Sequence, residues 1–301
     1  VVSLGDLVSG GGFPDAAGRA PRFHRPGGEV AAVALAGPAG AAAMPVRPLG
    51  RTGHDVCLFS LGGQATIEKE GTRDASLAII NRAIDLGVNY IDTAAAYGNG
   101  ISQTYIGEVM ATRRREVFLA SKTHDRTRDG SLRLLEQSLK LLRTDRLDLG
   151  QLHNVRFDEQ VDQIFARDGA IEALRQARDQ KMVRFLGITG HYDPDVLARA
   201  IARFPFDTVL MAVNPADRHR LSFIERLLPL ATEKGMGVIG MKIPARGRIF
   251  KDGAITSIRP PLRYVLSLPI STAIIGCDNV EQLEENIAVA RAFSPMPEAE
   301  M

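Results

Sequence analysis

The chain has 301 residues, 45% of them apolar, with 29 Gly, 16 Pro and no Trp, enough to fill one large core or two ordinary ones. Its 37 basic and 35 acidic side chains give a formal net charge of +2, which supplies no overall drive toward nucleic acid or an anionic membrane and leaves function to a local site. Cys57 and Cys277, with neither CxxC nor metal-ligand spacing, exclude a disulfide framework, and no charge-free apolar run of about 18 residues suits a membrane span.

Residues 1–43 hold 11 Ala, 9 Gly and 4 Pro and show almost no helical or strand periodicity, so they are expected to lie outside the fold as a disordered leader or N-terminal extension. Two readings stay open. Arg19, Arg22 and Arg25 precede the apolar stretch Val30 to Ala36, and Ala41-Ala42-Ala43 resembles a small-residue cleavage site, which suits an export signal. Pro38, Glu29 and the lack of an Arg-Arg pair weaken that reading; a true start at Met44 would make the segment a mis-set extension of a cytoplasmic protein. Residues 44–301 remain as the domain, 258 positions.

From Met44 the pattern opens with a two-strand hairpin, Val46 to Leu49 and Val56 to Phe59, around Gly50-Arg51-Thr52-Gly53. Short apolar runs that read as buried strands follow at 58–61, 90–93, 117–121, 147–152, 185–189, 208–213, 238–241 and 272–276. Helical periodicity covers 75–86, 102–113, 130–143, 161–179, 194–203, 222–234, 258–267 and 279–293. Asp74, Asp193 and Asn279 are placed to cap helix N-termini, and Gly87 and Gly235 to end helices. Strict alternation implies crossover helices and hence a parallel sheet. Eight such units in roughly 250 residues predict an α/β fold, a closed (β/α)8 TIM barrel with an N-terminal β-hairpin. An open doubly wound sheet would announce a dinucleotide site by GxGxxG, whereas here the first strand runs into Ser60-Leu61-Gly62-Gly63-Gln64.

In such a barrel chemistry sits at the C-terminal ends of the strands. Those ends carry Asp92 and Tyr97, Lys122 and His124, His153, Thr189 and His191, Asn214 and Lys242. Any one of these can be a solvated or capping side chain; Asp, Tyr, Lys and His on three consecutive strands point to a site. Metal-assisted hydrolysis by His124, His153 and His191 with Asp92 is one reading, weakened by the lack of a His-x-His pair on the first strand and of an acid after the eighth. The other is proton transfer by Tyr97. A phenol with an ordinary pKa near 10 is a poor acid at neutral pH, so Lys122 is expected to lower it, with Asp92 holding the ammonium and His153 orienting a carbonyl oxygen.

These residues resemble the aldo-keto reductase superfamily, over nearly all of 44–301. Asn89-Tyr90-Ile91-Asp92-Thr93-Ala94-Ala95-Ala96-Tyr97-Gly98 looks like its Asp/Tyr motif; Ala120-Ser121-Lys122-Thr123 and Gln151-Leu152-His153-Asn154 look like its lysine and histidine strands. Gly276 with Glu281-Gln282-Leu283-Glu284-Glu285-Asn286 resembles the segment that wraps the adenosine half of a cofactor. The resemblance implies catalytic Asp92, Tyr97, Lys122 and His153, a small-molecule aldehyde or ketone substrate, and NADP(H) or NAD(H) lying extended across the barrel mouth. It implies cofactor contacts from Thr189, Gly190, Lys242, Arg246, Gly276, Asp278, Gln282, Glu285 and Asn286, and no resident metal.

Three departures stand out. Thr189-Gly190 replaces the usual Ser-Asn after strand five, leaving His191 to make up a polar contact, and Leu210 and Val213 fall where a glutamine and a stacking aromatic are common. Gly276, Asp278 and Gln282 fall where the adenosine pocket commonly carries Lys or Arg, and a carboxylate at Asp278 would repel a 2′-phosphate, so NAD(H) competes with NADP(H) unless Arg246 or Lys251 restores the charge. The tail from Ser294 is too short for a long third loop, so an open substrate pocket is expected. Alongside carbonyl reduction stands a second class, a cofactor-binding regulatory or redox-sensing barrel with little turnover, which would have no need of the Tyr97 acid.

Overall fold

The computed structural model describes residues 43–217, 221–250 and 255–301. The expected leader, apart from Ala43, lies outside the described residues, as do the Arg246 side chain and Lys251.

Strands β1 (Val46–Pro48) and β2 (Asp55–Cys57) pair antiparallel as a hairpin, Val46 opposite Cys57. Eight parallel strands follow: β3 (Phe59–Gly62), β4 (Tyr90–Asp92), β5 (Phe118–Thr123), β6 (Leu147–Leu152), β7 (Val183–Gly190), β8 (Thr208–Ala212), β9 (Gly237–Met241) and β10 (Thr272–Ile275). Each bonds its sequence neighbour and β10 returns to β3, closing the expected barrel. The crossovers carry α1 (Arg73–Asp85), α2 (Ile101–Arg113), α3 (Arg128–Leu141), α4 (Asp158–Ile164), α5 (Ala170–Asp179) and α6 (Pro194–Arg203). The ring is completed by α7 (Phe223–Arg226), α8 (Leu228–Glu233), α9 (Arg259–Ser267) and α10 (Val280–Arg291). Among the described residues no helix is long and apolar enough to cross a membrane.

Two apolar layers hold this together. Inside the barrel, Tyr90, Phe118, Leu149, Leu210, Ile239 and Ile274 pack with Leu49 and Val56 of the hairpin. Phe118 stacks on Tyr90 at a centroid distance of 5.3 Å and on Phe185 at 6.1 Å. Outside it, alternate strand residues such as Leu119, Leu152, Ile188 and Val209 meet the helices, as expected of strands buried on both faces.

The hairpin plugs the N-terminal end of the barrel. Its turn needs Gly50, which has φ +54° and whose added Cβ would fall 2.1 Å from the backbone nitrogen of Gly237. Arg51 then donates to the carbonyl oxygens of Lys234 at 2.7 Å and Phe206 at 2.6 Å, just ahead of β9 and β8.

Three expectations are corrected. The helix expected over 161–179 is two, α4 and α5, because the intervening chain pairs instead with the loop before α3: Arg128 N donates to the Asp168 carbonyl and Ala170 N to that of Arg126, both at 2.8 Å. The helix expected over 222–234 restarts at Leu228, because Pro229 has no N–H to give the preceding turn. Asp74 lies in the first turn of α1 and Thr72 occupies the cap position. Asp193 and Asn279 do cap α6 and α10, accepting from Asp195 N and Gln282 N.

Candidate active site

Parallel register brings the four motif residues to one end of the barrel. Asp92 closes β4 opposite Ala120, and Lys122 lies near the end of β5. Tyr97 opens the short turn Tyr97–Gly100, and His153 follows β6 directly. Backbone bonds fix the loops: Tyr97 N donates to the Ala94 carbonyl at 3.0 Å, and His153 N to that of Thr123 at 2.8 Å.

Lys122 is the hub. Only 1% exposed, its Nζ donates to Asp92 Oδ1, to the Thr93 carbonyl at 2.8 Å and to Tyr97 Oη at 3.2 Å. An ammonium has three hydrogens, and here each has an acceptor. Gln151, wholly buried on β6, donates through Nε2 to Asp92 Oδ2 at 3.1 Å and so holds the carboxylate from the other side. The His153 ring meets that of Tyr97 edge-on at 5.5 Å.

Burial sets the protonation states. It pushes the Tyr97 phenol up, and Lys122 only partly pulls it back. The expected lowering of the Tyr97 pKa is therefore corrected: burial outweighs Lys122, the net shift is upward, and the phenol holds its proton. Burial opposes the Lys122 charge, yet Asp92 and Tyr97 outweigh it and the net shift is upward. Burial likewise raises Asp92 against the pull of Lys122 and Gln151. Burial, reinforced by Lys122, His124, Arg126 and His191, takes the His153 imidazole down to about 2, so it is neutral and offers a neutral N–H.

That shift makes acid destabilising. An unfolded histidine titrates near about 6.5, so between that pH and about 2 the unfolded chain binds the extra proton. The contribution of neutral, folded His153 is complete above pH about 6.5 and is lost at about 1.4 kcal/mol per unit as pH falls below it. Urea melts at pH 6.5 and 4.5 are therefore expected to show a smaller loss in His153→Gln than in the wild type; equal losses refute the shift.

Three connected cavities run across this end. One of about 240 Å³ is lined by Tyr97, Lys122, His153, Thr189, His191 and Arg156, among others. A second, about 160 Å³, shares Gln64, Tyr97, Leu210, Met241 and Lys242 with it and reaches Gly276. A third, about 460 Å³, continues from Pro244 and Gly276 to Asp278, Gln282, Glu285 and Asn286. Most of the expected cofactor positions thus border one continuous groove. Gly190 does not: it packs against Leu197 and the Val155 carbonyl. Arg246 lies in the turn Ala245–Gly247 after β9, its side chain outside the description.

The departures find their places. Thr189 Oγ1 accepts from Asn154 N at 2.8 Å. Leu210 lines the first two cavities, while Val213 is buried in the outer apolar layer. Asp278 lies 3.4 Å from Lys69 Nζ, both exposed. The tail packs along α9, with Arg263 Nε donating to the Ser294 carbonyl at 3.0 Å. No three His, Cys, Asp or Glu side chains gather to hold a metal among the described residues, and the Asp92 of the hydrolase reading is engaged by Lys122 and Gln151.

Gln64, Glu68, Gln151, Arg156 and Met241 escaped the sequence reading. Gln151 left a signal, an uncharged polar residue in the apolar run Leu147 to Leu152. Gln64 follows the end of the first barrel strand, behind Gly62-Gly63, with no charged neighbour to mark it.

Residues 58–257 match the model of the Aldo/keto reductase family. The chain is 27% identical to the uncharacterized oxidoreductase YqkF of Bacillus subtilis, over 83% of this chain and 92% of that protein. It is 25% identical to L-galactose dehydrogenase of Arabidopsis thaliana, over 81% and 87%. An aldo-keto reductase from Klebsiella pneumoniae solved with NADPH superimposes with a TM-score of 0.72 at 22% identity, covering 85% of this chain and 92% of that one. With two thirds of its length inside the family model and the barrel closed as the family requires, the chain belongs to the aldo/keto reductase family, oxidoreductases that use nicotinamide cofactors.

Proposed function

We propose that the protein reduces an aldehyde or ketone to the alcohol with NAD(P)H, Tyr97 giving its phenolic proton to the carbonyl oxygen. The observation that carries this is Tyr97 Oη held 3.2 Å from the buried Lys122 ammonium at a cavity wall shared with His153. Hydride for the carbonyl carbon is what a bound nicotinamide cofactor supplies. The proton comes from Tyr97, and the phenolate left behind is stabilised by Lys122, whose place and charge Asp92 secures. Neutral His153 points to a hydrogen bond to the substrate oxygen, which would place it for transfer.

The groove suits an extended dinucleotide. At its waist Gly276 comes so near Gln64 that an added Cβ would lie 3.0 Å from the Gln64 carbonyl oxygen, and a side chain there would crowd the passage. Beyond it, Gln282 and Asn286 offer amides and Asp278 and Glu285 carboxylates to ribose hydroxyls. Thr189, Lys242 and Arg246 complete the proposed cofactor set, and Gly190, which faces away from the groove, drops out of it.

The wall of the third cavity carries two carboxylates and no cation among its described residues, which favours free ribose hydroxyls and hence NADH over NADPH. Lys69 beside Asp278 moderates this, and because both are exposed it does so weakly. We expect NADH to bind at least tenfold more tightly in fluorescence titrations; tighter NADPH binding defeats the charge argument. A panel of aldehydes and ketones followed by nicotinamide absorbance tests the activity itself. Tight cofactor binding without turnover of any carbonyl would instead select the regulatory reading.

A further inference from the structure

The substrate end of the groove is polar and cationic. Apart from Ala96, Leu210 and Met241, the wall of the 240 Å³ cavity consists of polar or charged side chains. Arg156 takes no part in the proposed proton transfer. Its guanidinium is exposed at the cavity wall and makes no hydrogen bond or ion pair with another described side chain.

The backbone that carries it is nevertheless fixed. Arg156 N donates to Gln160 Oε1 at 2.8 Å. The next residue, Phe157, packs edge-on against Tyr192 at 5.3 Å, and Asp158 at the start of α4 pairs with Arg199 of α6. Phe157 and Tyr192 stay 45% and 55% exposed, so the contact gains little from burial. It joins the loops after β6 and β7, which bring Arg156 and His191 to one wall. Glu68 is the opposing charge on that wall, and its carboxylate accepts from Gln64 Nε2 at 3.4 Å. Burial is the main cause of the depressed His153, and Lys122, His124, Arg126 and His191 add to it as nearby cationic groups.

Resting on the carbonyl-reductase reading, we propose that the substrate carries an oxyanion, a carboxylate or a phosphate, which Arg156 binds with His191 beside it while the carbonyl faces Tyr97 and His153. A planar guanidinium suits either group through paired N–H bonds. A hydrogen bond to a charged group is worth about 1.5–3 kcal/mol, or roughly 10- to 150-fold in kcat/KM. Arg156 is then a specificity residue rather than part of the proton-transfer machinery.

The test compares 4-oxobutanoate with its methyl ester, and glyceraldehyde 3-phosphate with glyceraldehyde, in the wild type and in Arg156→Gln. The wild type is expected to prefer the charged member of one pair at least tenfold in kcat/KM, the pair identifying carboxylate or phosphate, and Arg156→Gln to erase that preference while leaving the neutral member within about twofold. Turnover without preference, or a preference that survives the substitution, overturns the proposal. If none of the four aldehydes is reduced with either cofactor, the reductase reading fails for these substrates and the anion site is judged by calorimetry. Titration of succinate and inorganic phosphate into the cofactor-loaded protein would then show binding that Arg156→Gln weakens at least tenfold, and no such binding overturns the proposal.

Discussion

Tyr97→Phe is expected to lose about 10²- to 10⁴-fold in carbonyl reduction, the usual scale of general acid catalysis, while cofactor affinity and melting temperature hold. The substitution deletes one oxygen, and the partner it leaves, Lys122, keeps Asp92 and the Thr93 carbonyl. Ring packing against His153 survives as well. Because burial keeps the wild-type phenol protonated, the variant lacks a proton that the native site holds ready, and the loss should fall on kcat. Single-turnover reduction with saturating cofactor measures it. A rate within a fewfold of wild type would remove Tyr97 from the chemistry.

Lys122→Met should be harsher, because it strikes fold and chemistry together. Asp92 is 2% exposed and would keep only the Gln151 amide. Breaking a buried pair by removing one partner costs about 3–5 kcal/mol, since the remaining charge is buried without compensation. Urea denaturation at pH 7 should show that loss, along with activity at least as low as in Tyr97→Phe. The double variant Asp92→Asn, Lys122→Met separates the two effects: stability should largely return and activity should not. Recovery of activity would mean that the ammonium serves only the fold.

The barrel was legible because its strands are short apolar runs between turn signals, a local property. The four motif residues were legible because parallel strands put their C-terminal ends on one face, so a position in a run becomes a position in space. What escaped is set by contacts distant in sequence. Apolar periodicity runs across residues 165–169, but pairing with residues 126–128 interrupts the helix there. The direction of the Tyr97 shift turns on burial, which no motif records. The charge at Asp278 was visible, whereas its neighbour Lys69 arrives from the other end of the chain.

Lys122 has a further consequence. An aldehyde reductase that keeps a lysine beside its substrate risks losing it to the substrate, since an uncharged amine condenses with aldehydes to form an imine. Here three acceptors take the three hydrogens of the ammonium, and, against burial, Asp92 and Tyr97 raise its pKa, so the form without a free lone pair is favoured. On the proposed function, the same contacts that place the cation beside Tyr97 also keep this lysine from covalent capture by a carbonyl substrate.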